Sequence, residues 1–293
     1  MATLSPPLRG ALLALSSFCA YACCDVSIKA LGGDLNSFQV MFFSACCTLP
    51  FVLIQIFWMD PKASLKPALP HLTLARVLIT LFGSGFVTYT FTHLPLAQCY
   101  AIFFTMPMLI TLFAWPLLGE RIDPLRGLFI LLGFGGVLIA LQPGSTEFRL
   151  AHLTAICGAC TGASNSLLLR KIGHREKAGV ILLYPVLGQV LGAGAIMPFV
   201  WHPLSLQDWG VGILLGFLGT AGGLLIIAAY RVAPAIVVAP MQYSQIIWAS
   251  TLGLIFWAER PTLTTALGIG VIIAAGMLLL VMAGRPPSRK SLA

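Results

Sequence analysis

Asp25 and Lys29 stand four residues apart in an otherwise apolar stretch, so on a helix they share one face. Were that stretch in lipid, each lone charge would cost about 2.5–3.5 kcal/mol on insertion scales. Two chemistries fit. The two groups can form a mutual ion pair near a membrane boundary, with Lys29 snorkelling toward water. Alternatively, Asp25 can receive a substrate amine or a coupling proton, with Tyr21 one turn below it on the same face. Two further acid–base pairs, Glu120-Arg121 and Glu259-Arg260, end apolar stretches. They suit either boundary capping or ion pairs that gate a passage.

The remaining polar groups at depth are amides, hydroxyls and aromatic rings: Tyr89, Gln98, Tyr100, Asn165, Tyr184, Gln189, Gln242, Tyr243, Gln245 and Trp248. Met241, Gln245 and Trp248 fall on one helical face. Such groups fit a neutral or zwitterionic, partly apolar solute and fit a polyanion poorly. Covalent catalysis finds no support. H-E-x-x-H, G-x-S-x-G and a phosphate-binding glycine loop are all missing from the sequence. The five histidines lie at segment ends or in loops. Cys157-x-x-Cys160 has redox or zinc spacing, but it has no second cysteine pair and no histidine nearby. All eight cysteines fall inside apolar segments and read as packing residues. No cofactor, metal or enzymatic activity is expected.

What must position these groups follows from composition. Of 293 residues, 58% are hydrophobic and 9% charged, against about 25% charged in a soluble domain. One aqueous core cannot hide that much apolar surface, so the solvent is lipid. A helical span needs about 20 apolar residues. Ten stretches qualify: 8–31, 37–59, 71–92, 95–118, 124–141, 150–171, 178–200, 207–230, 234–257 and 262–283. Barrel strands would alternate in polarity over about 10 residues, whereas these are continuously apolar. The fold class is therefore all-α and polytopic. Prolines 50, 107, 116, 185, 198 and 240 are expected inside helices. Pro240 is followed at once by Gln242 to Gln245, so a kink there would sit beside polar groups.

The net charge of +8 could suggest nucleic acid, but its placement serves topology. With the N-terminus inside, Arg9, Lys62, Lys66, Arg76, Arg121, Arg126, Arg170, Lys171, Arg175, Lys177, Arg231, Arg285, Arg289 and Lys290 flank the inner face. Lys29, Arg149 and Arg260 flank the outer one. Fourteen against three is a strong positive-inside bias. It predicts a cytoplasmic membrane location with both termini cytoplasmic, basic contact with anionic lipid and no nucleic-acid partner. Ala20-Tyr21-Ala22 resembles a signal cleavage site, but the apolar run continues past it, so the first segment reads as a retained helix.

The chain also repeats itself. Residues 93–121 echo 232–260: Pro95 maps to Pro234 and Glu120-Arg121 to Glu259-Arg260, at a spacing of 139. Lys29-Ala30-Leu31-Gly32 aligns with Arg170-Lys171-Ile172-Gly173, and Gly127 and Gly135 align with Gly268 and Gly276, at 141. The two units span 8–141 and 150–283. Each holds five spans, and an odd number inverts the second unit relative to the first, as in many transporters. The mate of Asp25 is Ser166, and Phe104-Thr105 matches Tyr243-Ser244, so symmetry breaks there. Glycines 212, 216, 219, 222 and 223 line one helix face, where a second backbone can pack or slide.

Gly83-Ser84-Gly85, Leu94-Pro95-Leu96-Ala97 and Gly119-Glu120-Arg121, with Pro234-Ala235 through Glu259-Arg260, resemble the EamA family of the drug/metabolite transporter superfamily. The resemblance covers nearly the whole chain. It implies ten helices, a central cavity between repeats, alternating access, and carriage of amino acids, vitamins, nucleotide-like metabolites or drugs, often outward. Many members carry an arginine early in the second helix, where this chain has Phe42-Phe43-Ser44. The expected function is a carrier of amino acids or related amphiphilic metabolites, acting as a monomer or homodimer by rocking one repeat against the other. Metabolite uptake and lipid or lipid-linked-sugar flipping are the alternatives.

Overall fold

A computed structural model describes residues 6–59, 65–118, 124–142, 149–172, 175–176, 178–233 and 235–283. In lipid a chain must satisfy its backbone donors and acceptors within the segment, so long apolar runs become helices. The first repeat builds α1 (Pro6–Leu31), α2 (Ser37–Met59), α3 (Pro70–His93), α4 (Leu96–Phe103), α5 (Met106–Leu118) and α6 (Pro124–Leu141). The second builds α7 (Leu150–Ile172), α8 (Ala178–Gly194), α9 (Met197–Val200), α10 (Leu206–Val232), α11 (Ala235–Val238), a 3-10 turn (Ala239–Tyr243), α12 (Ser244–Trp257) and α13 (Leu263–Ala283). The outer limits of all ten expected spans agree with these bounds to within two residues. α4–α5, α8–α9 and α11–α12 each make one span.

Those three spans are interrupted, and proline explains where. Pro50, Pro116 and Pro185 stay inside helices. Pro107 and Pro198 instead stand in the first turn of α5 and α9, and Pro240 lies in the 3-10 turn. Proline lacks an amide donor and clashes with the preceding turn, so a helix more easily restarts at it than runs through it.

Packing follows the repeat. α1 lies along α10, held by Ser17 Oγ donating to Gly222 O at 2.7 Å. The pair related to it by the two-fold, α7 and α3, is joined by Thr90 and Thr154 hydroxyls at 3.0 Å. α2 packs on α8, and α6 on α13, each helix against its own mate. The α6–α13 crossing is so close that a Cβ on Gly136 would meet Gly268 O at 2.9 Å, and one on Gly268 would meet Gly136 O at 2.5 Å. The glycine face of α10 is filled likewise: Phe43 and Cys47 of α2 sit on Gly212 and Gly216, and Tyr21 of α1 sits on Gly222. Small residues here allow tight helix packing. Leu131, Leu191, Phe199 and Leu206 stand exposed around the outside, as a lipid-facing perimeter requires.

The contacts thus join two three-helix groups, α1–α2–α10 and α7–α8–α3. Each draws on both repeats, and the inverted two-fold exchanges them.

Candidate functional site: a central cavity and a charged node

A cavity of about 340 Å³ lies between the two groups. Ile28, Met41, Ser44, Ala45, Thr48 and Leu215 form one wall. The facing wall comes from α3, α7 and α8, with Thr80, Ser84, Thr88, Thr161, Asn165 and Gln189 as its polar groups. Gln189 Nε2 donates to Ser84 Oγ at 2.7 Å, joining α8 to α3. Arg76 Nε donates to Asn165 Oδ1 at 3.1 Å, and its Nη1 donates to Ile181 O, joining α3 to α7 and α8. Ser44 Oγ and Thr80 Oγ1 are buried without a hydrogen-bond partner. An orphan hydroxyl beside a cavity has a donor and two acceptor sites to offer a bound molecule.

Next to Ile28, which lines this cavity, α1 carries a charged node. Lys29 Nζ lies 2.8 Å from Glu259 Oε1 and also donates to Leu94 O at 2.6 Å. The Trp257 ring lies beneath the ammonium, its centroid 5.6 Å away. The other carboxylate oxygen of Glu259 accepts from Leu96 N at 2.9 Å, which is the first helical amide of α4. A carboxylate there also meets the positive end of a helix dipole. Glu259 is therefore a cap and an ion-pair partner at once. Its placement depends on Ala258, which adopts left-handed φ/ψ (54°, 27°) and ends α12 with Ala258 N donating to Leu254 O and Glu259 N to Gly253 O. Beside this node α1 meets α3, where a Cβ on Gly32 would lie 2.0 Å from Thr92 Cγ2. Among the described residues, the mates of α1 and α3, α7 and α10, make no comparable contact. Among the described residues the two-fold is therefore broken at the α1–α3 contact.

The expected Asp25–Lys29 pair does not form. Lys29 takes Glu259 as its partner, and Asp25 instead accepts a hydrogen bond from the Tyr100 hydroxyl of α4. The i, i+4 spacing permits a pair, but α4 and α12 bring better-placed partners to each residue.

The other expected residues disperse. Asn165 and Gln189 line the cavity. Tyr21 packs on α10 beside Phe18. Tyr89 stacks on His93 at 3.9 Å and lines a separate apolar groove. Gln98 joins Glu259, Arg260 and Thr265 around a small recess of about 110 Å³ beside the charged node. Tyr184 donates to Leu65 O at 3.2 Å. Tyr243 packs on the Phe104 ring and presses its hydroxyl against Gly276. Gln242 and Gln245 are half-buried beside it, outside the cavity lining, and Trp248 is 37% exposed on the perimeter. Glu120-Arg121 lies outside the described residues.

Arg76, Ser44, Thr80 and Ser84 were not singled out from sequence as site residues. A signal for them exists: Arg76, Thr80, Ser84 and Thr88 recur every four residues along α3, a polar stripe on an apolar helix.

Comparison with known proteins agrees with this architecture. A solved crystal structure superposes with a TM-score of 0.65 at 17% identity, covering 94% of this chain and 99% of its own. The chain is 27% identical over 278 residues to the S-adenosylmethionine uptake transporter of Rickettsia felis, covering 91% of this chain and 90% of that protein. It is 26% identical over 273 residues to the pseudopaline exporter of Pseudomonas aeruginosa, covering 90% and 94%. It is 26% identical over 270 residues to the riboflavin transporter of Brucella anthropi, covering 89% and 94%. The model of the EamA-like transporter family matches it twice, at residues 8–142 and 149–282. Two inverted five-span repeats, a cavity between them and this double match lead to one conclusion: the chain is a multi-pass membrane transporter and belongs to the EamA-like transporter family.

Proposed function

We propose that this protein carries amphiphilic organic metabolites, amino acids or molecules built on them, across the cytoplasmic membrane by alternating access. The observation that carries this reading is the cavity between two exchanged three-helix groups, and we take the Lys29–Glu259 pair beside it to close one end. Its lining is mostly apolar, with amides and hydroxyls at a few points, which suits a partly apolar solute with a small polar head. The units 8–141 and 150–283 form the two halves. The positive-inside bias puts both termini in the cytoplasm and the Lys29–Glu259 end outside. This conformation is then open toward the cytoplasm. In the opposite state the contacts of α1 with α3 loosen and those of α7 with α10 form. Because each moving group contains helices of both repeats, the motion rocks mixed groups rather than one repeat against the other.

The family resemblance implies export. Kinship with uptake transporters from Rickettsia favours uptake as a second reading. A further groove of about 550 Å³, lined by Phe38, Leu81, Phe82 and Ile196, meets the cavity at Met41. A flippase needs such a lateral opening, yet this groove offers no lysine or arginine to a headgroup phosphate.

Counterflow into sealed proteoliposomes tests the carrier reading. Preloaded vesicles are offered labelled amino acids, nucleosides, vitamins, S-adenosylmethionine and polyamines. Exchange of at least one solute is expected. Vesicles that exchange none of them refute the reading, and sided loading then separates export from uptake.

A further inference from the structure

Arg76 lies six residues into α3, about 9 Å from the start of the helix at the usual rise. Its guanidinium is half-buried, and it is at the opposite end of α3 from Leu94 and the Lys29–Glu259 closure. A cation held there without a counter-ion is costly. Yet among the described residues no carboxylate lies within ion-pair distance of it. Glu176, which reaches Thr73 one turn before Arg76, is already committed to that hydroxyl and to the amides of Ala68 and Leu69. Arg76 has two neutral acceptors, Asn165 Oδ1 and Ile181 O, for five N–H donors.

The surroundings point the same way. From Arg76 the stripe of Thr80, Ser84 and Thr88 runs about 18 Å along α3 into the cavity wall. Thr80 Oγ1, one turn from Arg76, has no partner, and Ser44 Oγ across the cavity has none either. Asn165 belongs both to the Arg76 contact and to the lining, so it couples them directly. The inverted repeat does not duplicate this feature. At the spacing of 139, α10 carries Leu215, Gly219, Gly223 and Ile227 in the corresponding places. The polar track is one-sided, as a site that orients an asymmetric solute must be.

We propose that Arg76 is the docking point for the carboxylate of the transported solute, and that Thr80, Ser44 and Asn165 receive its adjoining polar atoms. This deepens the carrier reading above and rests on it. The substrate class becomes amphiphilic metabolites bearing one carboxylate, entering with that group toward the α3 start. Guanidinium pairs with carboxylate through parallel hydrogen bonds that an ammonium cannot reproduce. Lysine should therefore restore only part of the function.

The test compares solutes that differ only in the carboxylate: S-adenosylmethionine against its decarboxylated form, and phenylalanine and methionine against their amides. Each competes for counterflow in proteoliposomes of the full chain. Wild-type protein is expected to favour the carboxylate member of at least one pair by about tenfold or more. Arg76→Gln should bring that ratio close to one, and Arg76→Lys should lie between. A ratio is read rather than a rate, so partial loss of folded protein does not mimic the result. Unchanged preference in Arg76→Gln, or an active wild type without carboxylate preference, overturns the Arg76 assignment alone. A wild type that exchanges no member of any pair refutes the amino-acid-derived substrate class and the assignment with it.

Discussion

Lys29 Nζ and Glu259 Oε1 meet at 2.8 Å although 230 residues of chain separate them, and the side chains are 11% and 18% exposed. One belongs to the first repeat and the other to the second, so the contact ties the two repeats together. Taking such charges out of water is expensive, and removing one partner strands the other. The pair is thus poorly explained as a stabiliser and well explained as a latch. Three elements meet in it: the end of α1, the α3–α4 junction through Leu94 and Leu96, and the end of α12.

Breaking the latch should have a diagnostic pattern. Lys29→Met and Glu259→Gln are each expected to depress transport strongly, while the reversed pair Lys29→Glu with Glu259→Lys recovers part of it. A double-mutant cycle on thermal unfolding in detergent should give a coupling of about 1–3 kcal/mol. Additive effects would show that the two residues do not act together. Recovery will be incomplete, because a lysine at 259 cannot accept from Leu96 N.

Asp25 and Tyr100 form a second, half-buried contact, one turn before Lys29 on α1. The titratable groups that face them are Cys23, Cys24 and Cys99, and Lys29 and Glu259 lie beyond Cys99. Asp25→Asn is expected to impair transport or alter its pH dependence, and Tyr100→Phe to do so in the same direction. Glu147→Gln, a change in the predicted link between repeats, should do neither. Equal counterflow by all three variants between about pH 5 and 8 would remove Asp25 from the mechanism.

Ala258 carries a left-handed conformation at the end of α12, where a Cβ is unfavourable. The equivalent residue of the first repeat is Gly119, the residue usually found at such a cap. Ala258→Gly should therefore raise the unfolding temperature, by an amount matching about 0.5–1 kcal/mol. A thermal melt reads this directly. A lower melting temperature would mean that the methyl group has packing value greater than the strain.

Glu176 supplies α3 with the cap its own sequence lacks, since Leu69 offers no side-chain acceptor. Its buried carboxylate takes three donors from the 68–73 segment. Glu176→Ala should lower stability by about 1–3 kcal/mol, with Glu176→Gln intermediate. Proteolysis or thermal unfolding measures the loss. Because Glu176 belongs to the second repeat, just after α7, and α3 to the first, the variant also reports how firmly the repeats are joined.

Sequence alone determined the elements that depend on local composition. Continuous apolar length dictates a lipid-spanning helix, so the ten spans and their limits were legible, as was the inversion that follows from an odd count. The duplicated Pro-to-Glu-Arg stretch showed the two-fold relation. Breaks at Phe104–Thr105, Ala195–Ile196 and 239–243 were foreshadowed by proline, but whether a proline kinks a helix or restarts it depends on the neighbours that accept the freed backbone groups. Only the tertiary structure decided which polar group meets which. Asp25 and Lys29 look like natural partners on one helix; α4 and α12, arriving from residues 100 and 259, separate them. Asn165 and Gln189 belong to the cavity while Tyr21 and Trp248 do not, because the face a helix turns inward is set by packing against its neighbours. In a chain this apolar, hydrophobicity says that a residue leaves water. It does not say whether that residue faces lipid, another helix or the passage between them.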